Sequence, residues 1–160
     1  MASMDPSEKF MRQAIGLALE NVRSAAGGPF AALIVKGGQV IAQGTNRVTS
    51  ANDPTAHAEI VALREACRVL QNFQLEGCEL YSTCEPCPMC LGAIYWARPA
   101  RVFYAGTHAE AAAAGFDDTL IYEELKRPAE KRHISMTQIL HQESLAIFEA
   151  WKRQPNKQTY

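Results

Sequence analysis

A chain of 160 residues, 48% hydrophobic and 21% charged, has ordinary globular composition, which excludes a largely disordered protein and predicts one domain over 1–160 that buries roughly 70% of its unfolded surface. Sixteen basic against 17 acidic residues give a net charge of -1; with no basic cluster along the chain, a nucleic-acid partner is disfavoured and a small neutral substrate suits the balance better. No apolar run reaches the roughly 18–20 residues that cross a bilayer and MASMDPSEKF holds no hydrophobic signal segment, so no membrane association and a cytoplasmic location are expected.

Residues 1–4 are set aside from functional reasoning. From Asp5 and Pro6 onward, apolar residues recur at helical spacing (Phe10, Ala14, Leu17, Ala18, Val22) until Gly27 and Gly28, which predicts a first helix. FAALIVK and QVIAQGTN, joined by Gly37-Gly38, read as an antiparallel hairpin. Asn52–Thr55 reads as a loop, with Thr55 as N-cap of a helix from about His57 through Val69. ELYST (79–83) is a strand, and a helix opens near Cys87 and runs through Ala97. RVFYA is the next strand. The alanine-rich stretch 109–114 leads to Gly115-Phe116-Asp117-Asp118 and a short helix over about 120–126. ISMTQIL is read as a possible fifth strand, and Glu143–Trp151 as the last helix before a polar tail. This order predicts an α/β protein with helices on both faces of one mixed sheet.

The chemistry concentrates in His57-Ala58-Glu59 and Pro86-Cys87-Pro88-Met89-Cys90. One imidazole and two thiolates suit tetrahedral zinc, and three protein ligands leave the fourth position open, as in catalytic rather than structural zinc sites. A water there has its pKa lowered from about 15.7 to about 7. Glu59, two residues from His57, is placed to act as general acid and base on that water rather than as a ligand. Both ligand segments fall at helix starts, where sites gather in open α/β sheets. Cys84 with Cys87 and Cys90 also spells a Cys-x2-Cys-x2-Cys array, but no later Cys completes a cluster, so Cys84 is read as a strand-end residue pointing elsewhere. Cys67 and Cys78 are read as small buried hydrophobes, and His108, His133 and His141 as surface or capping residues.

His-x-Glu paired with Pro-Cys-x-x-Cys is the signature of zinc deaminases acting on nucleobases. HAE, CEPCPMC and GAIYWARPARVFYAG resemble the cytidine-deaminase-like superfamily, and GGPFAALIV, NDPTAHAE, AGFDD and the terminal tyrosine make the chain similar, nearly end to end, to small bacterial guanine deaminases. The resemblance implies a three-layer α/β/α sandwich with a five-stranded mixed sheet. It implies one Zn2+ per subunit and hydrolysis of guanine to xanthine and ammonia in purine catabolism or salvage. It also implies a homodimer whose C-terminal segment, about 143–160, is exchanged and closes over the partner's site.

Carried over residue by residue, the resemblance makes Asn46 and Ala58 purine contacts, Phe30 a residue that lines or stacks on the base, Asp118 the partner of the amino group and Tyr160 a contact from the exchanged tail. An Asn amide both donates and accepts, and a carboxylate accepts from guanine's donors. Structural readings stand beside these: Asn46 as a turn residue, Phe30 as core, Asp118 as a helix cap. Glu143, just before the last helix, is a further candidate beside its reading as an acidic residue near a helix start.

Two rival functions remain in the sequence. A tRNA adenosine deaminase shares the EPC-x-MC-x-GAI segment, against which stand the charge balance and the acidic Phe116-Asp117-Asp118; other nucleobase or nucleoside deaminases belong with it. A non-catalytic zinc module would need a fourth protein ligand that the sequence does not offer.

Overall fold

The computed structural model describes residues 5–160. Helix α1 spans Pro6–Arg23 and starts where the cap chemistry places it: Asp5 accepts a hydrogen bond from the Ser7 amide at 2.9 Å, with Pro6 in the first turn. Of the predicted apolar stripe, Phe10, Ala14 and Ala18 are buried, whereas Val22 is exposed and Asn21 takes the buried position at the stripe's end.

Strands β1 (Ala31–Lys36) and β2 (Gln39–Thr45) form the predicted antiparallel hairpin, turning at Gly37 and Gly38, both at positive φ. A short helix α2 (Val48–Ala51), absent from the sequence reading, precedes the loop at Asn52. Helix α3 spans Ala58–Leu70, and its N-cap is His57. Thr55 is not the cap: its amide and hydroxyl both bond to Asp53 Oδ1, at 2.8 and 2.7 Å, closing a turn two residues earlier. The helix begins at Ala58, so Thr55 lies two residues ahead of the cap position, and its side chain closes a local turn on Asp53 instead.

Strand β3 (Cys78–Cys84), helix α4 (Pro88–Ala97) and strand β4 (Arg101–Gly106) follow as expected. The sheet has the order β2-β1-β3-β4, with β3 and β4 parallel and the other pairs antiparallel. Alternation along β1 divides the core in two. Leu33 and Val35 join Phe10, Ala14 and Tyr81 under α1, while Ala32 and Ile34 pack with Leu63, Ala66, Leu80 and Ile94 under α3 and α4. This is the expected α/β/α sandwich.

The sheet has four strands and not five. Residues 134–140 form no strand, and Ile134, Met136, Ile139 and Leu140 are all exposed. The apolar spacing there resembles a strand, but a strand exists only by pairing, and β4 remains an edge. Helix α5 covers His108–Ala113, capped reciprocally by Thr107 and Glu110. Helix α6 (Thr119–Leu125) and helix α7 (His141–Arg153) follow, so Glu143 lies inside the first turn of α7 and does not precede it.

The chain divides into two compact units, one running through Asp118 and the other Thr119–Tyr160. In the second, neither α6 nor α7 has a buried residue, and the side chain of Glu124 accepts hydrogen bonds from Arg127 and from the amide of His133. Among the described residues no helix is long and apolar enough to cross a membrane.

Candidate active site

The register of the sheet assembles one end of the first unit. Ala31 pairs with Thr45 and Ala32 with Ser82, so Phe30 before β1, Asn46 after β2 and the Ser82–Cys84 end of β3 all reach the same edge. The starts of α3 and α4 deliver His57 and Cys87 there as N-caps. Neither side chain is spent on capping its own helix, which leaves both free to act as donors to a ligand.

His57 Nδ1 lies 3.5 Å from Cys87 Sγ and 3.5 Å from Cys90 Sγ, and the three donor atoms lie within 4.8 Å of one another. With Zn–S of about 2.3 Å and Zn–N of about 2.0–2.1 Å, neighbouring corners of a tetrahedron around zinc are about 3.6 Å apart. The donor set and its spacing therefore fit zinc. Cys84 is outside the group; its thiol donates to the Thr107 carbonyl at 3.6 Å, as a strand-end residue turned elsewhere would.

The charge states follow from the packing. Hydrogen bonds from Cys90, then His57, bring the Cys87 thiol down to about 4, and the bond to Cys87 raises the His57 imidazole. Cys90 is pushed up, first by sharing its proton with Cys87 and then by burial. One negative charge thus settles readily at this helix start and a second does not, which is the imbalance a dication removes.

Glu59 is only 6% exposed. Burial, above all, raises its carboxyl above the usual range, and the Ser82 hydroxyl donates to its Oε1 at 3.2 Å. A buried carboxyl beside the three donor residues is suited to taking up and giving back a proton. Ser82 escaped the sequence reading, although it left a signal: Cys78 and Leu80 face the core, so alternation puts a polar residue where an apolar one is expected.

The proposed purine contacts separate into those the structure gathers and those it does not. Phe30 makes an edge-to-face pair with Phe116, centroids 4.9 Å apart, and the Asp118 carboxylate is one of the charges that, after burial, Glu59 and Glu85, push the Cys84 thiol to about 11. The AGFDD segment thus reaches the strand-end region. Asn46 is buried; its Oδ1 accepts from the Gly28 and Val48 amides at 3.2 and 3.3 Å. It is therefore a turn residue as well as a candidate contact. Ala58 is fully buried in the core under α3 and offers a ligand no surface. Glu143 and Tyr160 belong to the second unit. His108, read as a surface or capping residue, pairs with Glu85 at 2.8 Å.

Residues 4–106 match the family described as cytidine and deoxycytidylate deaminase zinc-binding region. The chain is 56% identical to a guanine deaminase of Bacillus subtilis over 153 residues, 96% of this chain and 98% of that protein. The crystal structure of guanine deaminase from the same species superposes with a TM-score of 0.94 over the same shares. A tRNA-specific adenosine deaminase of Aquifex aeolicus is 49% identical over 77 residues, 48% of this chain and 51% of that one. A structure of a further protein in complex with 2,6-diaminopurine has 36% identity and a TM-score of 0.67, covering 74% of this chain and 65% of its own.

Proposed function

The chain belongs to the cytidine and deoxycytidylate deaminase zinc-binding family, and from that premise we propose that it hydrolyses guanine to xanthine and ammonia, with zinc held by His57, Cys87 and Cys90. One observation carries the choice of base: likeness to a guanine deaminase runs over 96% of the chain, through the Phe116–Asp118 segment and the last helices, whereas likeness to a tRNA adenosine deaminase covers 48% of it. The charge of -1 also favours a small base over RNA. A family fit and a donor group that, among the described residues, holds His57, Cys87 and Cys90 and no fourth protein donor speak against the structural zinc module.

A zinc ion in that donor set supplies a water with its pKa lowered to about 7 and an electrostatic partner for the oxygen that attacks the base. The protein's own groups do the rest. Phe30 and Asn46 hold the base, Asp118 accepts from its amino group, and these contacts orient the amine-bearing carbon toward the donor set of His57, Cys87 and Cys90. Glu59, held at Oε1 by Ser82, takes a proton from water and delivers it to the adjacent ring nitrogen. Once the water oxygen has bonded to that carbon, Glu59 takes the remaining proton from that oxygen and passes it to the departing amine, so that the carbon–nitrogen bond breaks as the carbonyl of xanthine forms. Burial of Glu59 keeps that proton from exchanging with bulk water.

The second unit is assigned to a homodimer in which about 143–160 is exchanged and Tyr160, with Glu143 as a weaker candidate, reaches the partner's base. Exposed apolar surface supports this. Leu145, Phe148 and Trp151 form a stripe along α7, and Leu91, Tyr95 and Trp96 stand out from α4, more apolar surface than a monomer ordinarily leaves in water. A cytoplasmic location belongs to the same reading.

Ammonia release from guanine, adenine, cytosine, their nucleosides and a tRNA anticodon stem tests the reading: guanine should be turned over fastest, and faster release from any other would overturn the substrate. Removing residues 155–160 should reduce guanine turnover while the protein stays folded and zinc-loaded. Unchanged kinetics would take the tail out of the mechanism.

A further inference from the structure

Asn21 stands where the buried stripe of α1 calls for an apolar side chain. Phe10, Ala14 and Ala18 precede it on that face, and Asn21 is itself only 6% exposed. Burying an amide is unfavourable unless its hydrogen bonds are made, and here they are made to two particular acceptors. Asn21 Nδ2 donates to the Gly28 carbonyl at 2.8 Å and to the Asn46 carbonyl at 3.0 Å. Those carbonyls lie 18 positions apart in sequence and belong to the two loops that carry Phe30 and Asn46.

The same loops are bound to each other. The Asn46 amide donates to the Phe30 carbonyl at 3.0 Å, and the Gly28 amide donates to Asn46 Oδ1 at 3.2 Å. Gly27 is pressed so closely on this junction that a Cβ there would lie 2.0 Å from the Asn46 carbonyl oxygen and 3.2 Å from Asn21 Nδ2. With Oδ1 of Asn46 committed to the Gly28 and Val48 amides, the direction of its NH2 group is fixed by the backbone around it. That backbone is what Asn21 holds.

We propose that Asn21 is a positioning residue for the purine: its amide ties the Gly28 and Asn46 carbonyls together and so sets the spacing between the Phe30 ring and the Asn46 NH2 group. The inference rests on the reading that Phe30 and Asn46 hold the base. It assigns Asn21 no contact with substrate and no part in proton transfer, so its removal acts on binding of the base more than on the chemical step.

Asn21→Asp keeps the shape and removes the donor; Asn21→Ala removes the whole fork. KM and kcat for guanine, melting temperature and zinc content are measured for both, together with calorimetric binding of 2,6-diaminopurine in a Glu59→Gln background that does not turn it over. KM and the dissociation constant should rise about tenfold, the weight of one hydrogen bond, with kcat changed less than about threefold and zinc unaltered. Ala18→Gly, buried on the same helix face but outside both loops, supplies the control: it should lower the melting temperature and leave KM in place.

KM and binding within twofold of the parent, or a fall in kcat alone, would overturn the proposal. So would failure of both Asn21 variants to fold where Ala18→Gly folds, since Asn21 would then serve folding and nothing more specific. Asn46→Ala tells the two layers apart. If it too leaves KM unaltered, the reading of the purine contacts fails; if it raises KM while the Asn21 variants do not, only the role of Asn21 fails.

Discussion

The metal side of the site and the side proposed to hold the purine are built by different means. His57, Glu59, Cys87 and Cys90 ride on the first turns of two regular helices, each placed by one short motif. Phe30, Asn46, Phe116 and Asp118 stand on loops, and what fixes them is a web of backbone carbonyls, amides and one aromatic pair drawn from distant segments. A helix start fixes direction within a few residues, because the hydrogen-bond ladder behind it is rigid. A loop acquires direction only when other parts of the chain grip it. Damage to the metal side should therefore remove chemistry outright, whereas damage to the purine side should weaken binding by degrees.

The largest effect expected is on the metal side. Cys90→Ala should lose both zinc, read by metal analysis, and turnover; full zinc content in that variant would remove Cys90 from the ligand set. Glu59→Gln should lower kcat by about 10²–10⁴-fold, the usual weight of a general acid–base group, with zinc retained at one per chain. Loss of zinc in this variant would instead make Glu59 a ligand.

On the purine side, Asp118→Asn should raise KM for guanine about tenfold and affect kcat less, as befits one lost charge-assisted hydrogen bond. A kcat effect as large as that of Glu59→Gln would move Asp118 into the proton path and blur the contrast drawn above.

The smallest effect belongs to the turn before His57. Hydrogen bonds from the Thr55 side chain, then its amide, hold the half-buried Asp53 carboxyl below its ordinary 3.8. A depressed carboxyl stabilises the fold above its unfolded value and loses that contribution as pH falls through the folded one. Asp53→Asn should therefore lower the melting temperature by only about a degree at neutral pH, and the difference from the parent should close as pH drops below 3.8. A gap that stays open in acid would show that charge at Asp53 is not its source.

Legibility followed the same division. The hairpin at Gly37-Gly38, the helix starting after Asp5 and the convergence of HAE with PCPMC could be read because each is a local pattern with a local cause. The fifth strand was misread at 134–140 because alternating apolar residues say nothing about whether an edge is available to pair with. Thr55 does not cap the helix because the helix starts two residues later than the loop pattern suggests, at Ala58 with His57 as its cap. The sequence shows Phe116 only as part of an acidic segment, and its pairing with Phe30, 86 positions away, leaves no mark in either neighbourhood.

By itself the sequence determined the donor set and the sandwich of helices on a sheet, because ligand chemistry and hydrophobic period are properties of neighbouring residues. Only the tertiary structure decided that Ser82 holds Glu59, that Asn21 grips the loops carrying Phe30 and Asn46, that Ala58 is sealed in the core and that β4 remains an edge. Those are matters of which distant groups meet, and burial alone makes such meetings strong enough to last.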